Sequence, residues 1–171
     1  MGYFCFQNNK QMSKATEAMY EAVERAIEYG EYAAFFDGAC TPKNPNGTMG
    51  MGAVIYKNGK VVYEYSDYIL KNPNNTNNVA EHLAVQAVLK WFVKEGVKDL
   101  SGIVVMGDSM LVVNQLNGYW KIKKGKYETA AKDNIILLQM FDKPPVFMWI
   151  PRELNDYADD LSTRSIPKEF I

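Results

Sequence analysis

Two short apolar runs, YAAFFD at residues 32–37 and IVVMGD at residues 103–108, each end in an aspartate next to a glycine, and a stretch of helical periodicity lies between them. An apolar run of this length without polar alternation fits a strand covered on both faces. Two such strands joined through a helix are expected to lie parallel, with a right-handed crossover. The pattern therefore predicts an α/β chain of mixed α+β character, with a central sheet and helices on both of its faces.

The remaining elements follow from local signals. MGMGAVIYKNGKVVYEYSDYIL holds two β-rich runs joined by Asn58-Gly59, the strongest short signal for a tight hairpin, so three antiparallel strands open the main domain. From Asn78 to Val93 the residues Ala80, Leu83, Ala84, Ala87, Val88 and Trp91 recur at helical spacing and stop near Gly96. Beyond the second apolar run, SMLVVNQL reads as a short helix, Tyr127 to Phe141 as another, PVFMWI as a last strand and LNDYADDLSTR as a final helix. Ahead of the first strand, Lys10 to Tyr29 reads as an amphipathic helix with Met12, Ala15, Met19, Ala22, Val23, Ala26 and Ile27 on one face and Gly30 closing it. Residues 1–30 are thus expected to be a helical extension that packs on the domain or mediates self-association, and 31–171 the main domain.

Composition excludes several classes. With 171 residues, 47% of them apolar, the chain suits one globular domain with a real core. The formal net charge of −1 marks no nucleic-acid binder, so attraction to a polyanion has to come from a local patch. Cys5 and Cys40 make neither a disulfide framework nor a zinc site, and the expected compartment is the reducing cytoplasm. Neither a secretory leader nor an apolar stretch of roughly 18 residues is visible, so no membrane role is expected.

The chemistry sits in acidic residues. In an open sheet of this kind ligands gather beyond the carboxyl ends of neighbouring parallel strands, and Asp37 and Asp108 stand at those two ends. Glu81 falls in the first turn of the crossover helix, which must start near the same sheet edge. In the final helix Leu154, Ala158 and Leu161 form the packing face, leaving Asn155 and Asp159, four apart, on an adjacent face. Four carboxylates without a basic partner repel one another unless cations neutralise them. Oxygen-only ligands suit Mg²⁺ or Mn²⁺, and two such ions about 4 Å apart can activate a water and stabilise the leaving oxygen of a phosphodiester. Taken singly, Asp37-Gly38 is a turn dipeptide, Asp108-Ser109 a helix cap and Glu81 a charge at a helix start; together they favour a site. Spacing alone leaves Asp160 as an alternative to Asp159.

Four segments, FFDGACTPKNPNGTMGMGAVIY, TNNVAEHLAV, MGDSMLVVNQL and NDYADDLS, resemble in order the motifs of the type 1 ribonuclease H family, over residues from about Tyr32 to Ser165. The resemblance implies a ribonuclease H-like fold with a five-stranded mixed sheet in the order 3-2-1-4-5. It implies catalytic and metal-binding roles for Asp37, Glu81, Asp108 and Asp159, the family register selecting Asp159. The implied activity is endonucleolytic hydrolysis of the RNA strand of an RNA-DNA hybrid by a two-metal-ion mechanism with Mg²⁺ (Mn²⁺ as alternative), leaving 3′-hydroxyl and 5′-phosphate ends. By the same carry-over Asn44, Thr76, Asn77, Asn78, Ser109 and Asn155 would contact the hybrid, where side-chain amides can read 2′-hydroxyls and base edges.

Two departures stand out. The family's loop histidine before the last helix is missing; the stretch reads WIPRELND, and Arg152 is the candidate in its place, a group that neutralises phosphate charge but shuttles no proton. The only histidine, His82, is expected at a surface or capping position. The family's extra basic helix is replaced by the short YWKIKKGKY, where Lys121, Lys123, Lys124 and Lys126 would meet phosphates while Tyr119 and Trp120 stack on sugar faces. A monomer is expected. The competing readings are a nuclease of the same fold acting on duplex RNA or branched DNA, and a non-catalytic hybrid-binding module.

Overall fold

Residues 32–41 supply the strand about which the other elements are arranged. The computed structural model describes residues 13–171. Strand β1 (Tyr32–Thr41) pairs antiparallel with β2 (Thr48–Lys57), which pairs antiparallel with β3 (Lys60–Ile69). The β2–β3 turn holds Asn58 at φ 50° and Gly59 at φ 78°, the left-handed pair that a two-residue hairpin requires. On the other side of β1 lies β4 (Val104–Gly107), parallel to it with Val105 opposite Ala34, and then β5 (Val146–Trp149), parallel to β4. The sheet order is β3-β2-β1-β4-β5, as the sequence resemblance implies.

The run at β1 is apolar throughout because both its faces are covered. Ala34 and Phe36 turn toward a core that includes Ala80, Ala84 and Val88 of helix α2 (Asn77–Lys94). Ala33 and Phe35 turn the other way, toward Val23 of helix α1 (Lys14–Tyr29) and toward Leu154, Ala158 and Leu161, the last two in helix α5 (Asp156–Arg164). Helices α3 (Met110–Leu116) and α4 (Glu128–Leu138) join α2 on its face, contributing Val112, Val113 and Leu116 to that core with Ile135, Leu137 and Leu138 packed against it. Fully burying a side chain of the size of Phe36 or Leu161 contributes about 1.5–3 kcal/mol. No helix among the described residues is long and apolar enough to cross a membrane.

Several sequence expectations shift. Helix α1 starts at Lys14 because Ser13 caps it, its hydroxyl accepting from Thr16 N at 3.2 Å. Lys10 to Met12, and Cys5, lie outside the described residues. Of the expected apolar face Val23 is buried and Met19, Ala26 and Ile27 pack beside it, whereas Ala15 and Ala22 are exposed. The helix expected over 127–141 ends at Leu138, and the final helix is broken: Arg152–Leu154 forms a separate 3-10 turn, and Asn155 at φ −112°, ψ 21° sets the break before α5.

His82 overturns its expected surface position. It is wholly buried, with Nε2 3.0 Å from Gln115 Oε1 and Asn134 Nδ2 donating to its backbone oxygen at 2.8 Å. Of its neighbours at i±3 and i±4 on α2, Val79 and Val85 are apolar while Asn78 and Gln86 are half-buried, and the ring finds its partners on α3 and α4 instead.

Candidate active site

Strand β1 carries Asp37 on the α5 side of the sheet, in register with Ala33 and Phe35. One residue on, Gly38 lies against helix α2: a Cβ there would sit 2.3 Å from Glu81 N and 2.5 Å from the Ala80 carbonyl carbon. The absence of a side chain lets the start of α2 rest on the strand end, and this brings Glu81 beside Asp37. Thr76 caps the helix, accepting from Val79 N at 3.1 Å, which makes Glu81 the fifth helical residue rather than one of the first turn. Asp108 follows β4 directly. Its backbone oxygen accepts from Trp149 Nε1 at 3.1 Å, and Ser109 caps α3 by accepting from Val112 N at 3.3 Å. Asp159 is reached through Asn155, whose Nδ2 donates to Phe36 O at 2.9 Å and whose carbonyl accepts from Asp159 N at 3.0 Å, seating the first turn of α5 on β1.

Asp37, Glu81, Asp108 and Asp159 thereby line one pocket of about 450 Å³, with Gly38, Ala39, Cys40, Asn77, Asn78, Ser109 and Arg152. Ligand oxygens of Asp37, Glu81 and Asp108 lie within 4.8 Å of one another. Asp159 closes the fourth side, 3.6 Å from the exposed guanidinium of Arg152.

The electrostatics are those of acids crowded without a buried partner. Burial first, then the charges of Asp108 and Asp159, push Asp37 up to about 8. Burial, with Asp37 and Asp108 alongside, holds Glu81 well above the usual carboxylate range, and Glu81 Oε2 is buried with no hydrogen-bond partner. Burial also raises Asp108, with Arg152 acting in the opposite sense. An all-oxygen donor set, mutual repulsion and an orphaned buried carboxylate oxygen fit one or more hard divalent cations.

The remaining expected contacts divide. Asn77, Asn78 and Ser109 line the pocket. Asn44 does not; its Oδ1 accepts from Asn77 N at 3.1 Å, tying the β1–β2 loop to the helix start. Thr76 is taken up by its capping role. Asn155 is 1% exposed and outside the pocket, so the expectation that it contacts substrate is corrected: one turn before Asp159 it faces inward, because the break ahead of α5 turns its amide to the β1 backbone. Trp120, Lys121, Lys123 and Lys124 are exposed and line no part of the pocket. Sequence reasoning missed the buried His82, Gln115 and Asn134; the signal was available only as polar residues on the apolar faces of three predicted helices. Cys40 lines the pocket, its thiol 3.3 Å from Lys43 O.

Comparison with known proteins gives concordant results. The family model described as "Reverse transcriptase-like" matches residues 35–165. The bifunctional protein Rv2228c of Mycobacterium tuberculosis is 35% identical over 121 residues, covering 70% of this chain; the chain spans 31% of that protein's length. Ribonuclease HI of Halobacterium salinarum is 33% identical over 146 residues, covering 85% of this chain and 69% of the relative. Among solved structures, LC11-RNase H1 in complex with an RNA/DNA hybrid matches with a TM-score of 0.71 at 30% identity, covering 82% of this chain and 99% of the other.

Proposed function

Because the chain belongs to the ribonuclease HI family of ribonuclease H enzymes, we propose that it is an endoribonuclease that hydrolyses the RNA strand of RNA-DNA hybrids by a two-metal-ion mechanism, leaving 3′-hydroxyl and 5′-phosphate ends. The observation that carries this reading is the convergence of four acids from β1, α2, the end of β4 and α5 on one pocket, with Glu81 Oε2 buried and unpartnered. Asp37, Glu81, Asp108 and Asp159 would hold the ions, Mg²⁺ by the hardness of the donors, Mn²⁺ as the substitute. Bound there, divalent ions supply Lewis-acid stabilisation of a phosphodiester's charge and raise the acidity of an attacking water.

The protein's own groups supply binding and orientation. Asn77 and Asn78 line the pocket with Glu81, and their side-chain amides would offer donors and acceptors together to 2′-hydroxyls of a bound RNA strand. Arg152, 78% exposed at its side chain, takes the place of the absent loop histidine and would neutralise phosphate charge at the pocket mouth without transferring a proton. Lys121, Lys123 and Lys124 would extend the contact along the backbone of the hybrid.

The test is cleavage of a labelled panel: hybrid, duplex RNA, duplex DNA and branched DNA. Hybrid should be cut with Mg²⁺ and spared with EDTA. Asp37→Asn should lower kcat by at least about 10³-fold while the variant stays folded. Full activity of that variant, or cutting of another panel member in preference to hybrid, would sink the assignment.

A further inference from the structure

Behind the pocket a chain of buried side chains runs through three helices and ends at the lysine-bearing segment. Asn134 Nδ2 donates to His82 O at 2.8 Å, which fixes the orientation of its amide. The same Nδ2 lies 3.3 Å from His82 Nδ1, so that ring nitrogen accepts and the proton sits on Nε2. His82 Nε2 then donates to Gln115 Oε1 at 3.0 Å, and this in turn aims Gln115 Nε2 at Lys121 O, 3.4 Å away. His82, Gln115 and Asn134 are 0%, 2% and 0% exposed. Burial also pushes the His82 imidazole below its usual range, in keeping with a neutral ring.

The segment is pinned elsewhere too. At its end the Tyr127 ring lies over the His82 imidazole, centroids 6.1 Å apart and planes at 17°. Lys126 Nζ donates to Pro73 O at 2.5 Å and to Asn46 Oδ1 at 3.4 Å, in the loops that flank the start of α2. Residues 121–127 are therefore anchored to α2, α3 and those loops, while Lys123 and Lys124 remain exposed between the anchors.

We propose that His82 and Gln115 are positioning residues for substrate binding: they fix the lysine-bearing segment relative to α2, the helix that carries Glu81, so that phosphate contacts and the carboxylate pocket keep one spacing. The inference rests on the reading of the chain as a hybrid-cutting enzyme. A segment ordered in advance does not lose its freedom when substrate arrives, and that saving appears in affinity rather than in the chemical step. Apolar packing at His82 and Gln115 would hold the helices together equally well, but it would leave Lys121 O with no side-chain anchor. A buried polar chain is also intolerant of alternative arrangements, because any other leaves donors unmatched.

The test uses Gln115→Met, which keeps volume and shape, and the double variant His82→Phe with Gln115→Met, which removes both halves of the pair and leaves Asn134 Nδ2 its bond to the backbone oxygen of residue 82. In the metal-free protein, amide exchange of residues 121–126 should quicken about tenfold in both variants while β1 and β2 are unaffected. In hybrid cleavage KM should rise about fivefold with kcat within about twofold. Lys123→Ala with Lys124→Ala should cost less in the Gln115→Met background than alone, the mark of coupled sites. If wild type cuts hybrid yet Gln115→Met leaves exchange and KM unchanged, or lowers kcat with KM unchanged, this inference falls alone. A wild type that neither binds nor cuts hybrid overturns the proposed function and the substrate role of the pair together.

Discussion

Asp37 shows what the site costs a chain with no cation in it. Its carboxyl sits at about 8 in the folded state against an ordinary value near 4 in the unfolded chain, burial being the first cause and neighbouring acids the next. The folded state holds the extra proton between those values. The stability that the protonated group contributes is therefore fully present below about pH 4 and lost as pH rises through about 8. Thermal unfolding in EDTA should show Tm falling over that window. Asp37→Asn should flatten the decline and raise Tm at pH 8 by a few degrees, on the order of 1–2 kcal/mol. Excess Mg²⁺ should cancel the decline in wild type. An EDTA-treated wild type whose Tm is level from pH 5 to 8 would contradict the crowding of acids described here.

At the scale of elements, the contact of β1 with α2 through Gly38 governs the position of Glu81. Gly38→Ala would drive a methyl into the backbone of Ala80 and Glu81, so the helix start must retreat. We expect a loss of about 1–3 kcal/mol in urea unfolding and a weaker Mg²⁺ titration by calorimetry, since the displaced acid leaves the pocket incomplete. A stable variant with unaltered Mg²⁺ binding would speak against that geometry. Much of this level was legible in the sequence. The doubly buried runs at β1 and β4, the Asn58-Gly59 hairpin and a helix from Asn78 to Val93, observed as Asn77–Lys94, follow from periodicity and turn chemistry, and their order brings Asp37 and Asp108 to adjacent strand ends. Glu81 and Asp159 needed more: helical spacing gave the face, but the family register was required to choose between Asp159 and Asp160. His82 and Asn155 were misplaced because a lone polar residue beside apolar ones carries no sign of its partner. Those partners, Gln115 for one and the Phe36 carbonyl for the other, lie 33 and 119 residues away.

The whole molecule carries almost no net charge, so its attraction for a polyanion rests on where the charges stand. Four acids are drawn into the pocket. Arg152 stands at its mouth, and Lys121, Lys123 and Lys124 are exposed on the segment beyond. With roughly three to four phosphates neutralised, log K for hybrid should fall against log salt with a slope of about −3. A slope near zero, measured by anisotropy over a salt series, would remove these residues from the interface. Helix α5 adds a matter of timing. It rests on Gly50 and Gly52, where a Cβ would strike the backbone of Ser162 at 1.7 Å and 2.3 Å, and this seat joins two of the most widely separated stretches of the described chain. Contacts of such long sequence separation close large loops at an entropic cost, and we expect the α5 seat to be still unformed at the rate-limiting barrier. Gly52→Ala should therefore steepen the loss of the native state, raising the unfolding rate in stopped-flow while the refolding arm stays where it was. On that account the fourth acid arrives last, and a molecule on its way to the native state is a scaffold before it is a nuclease.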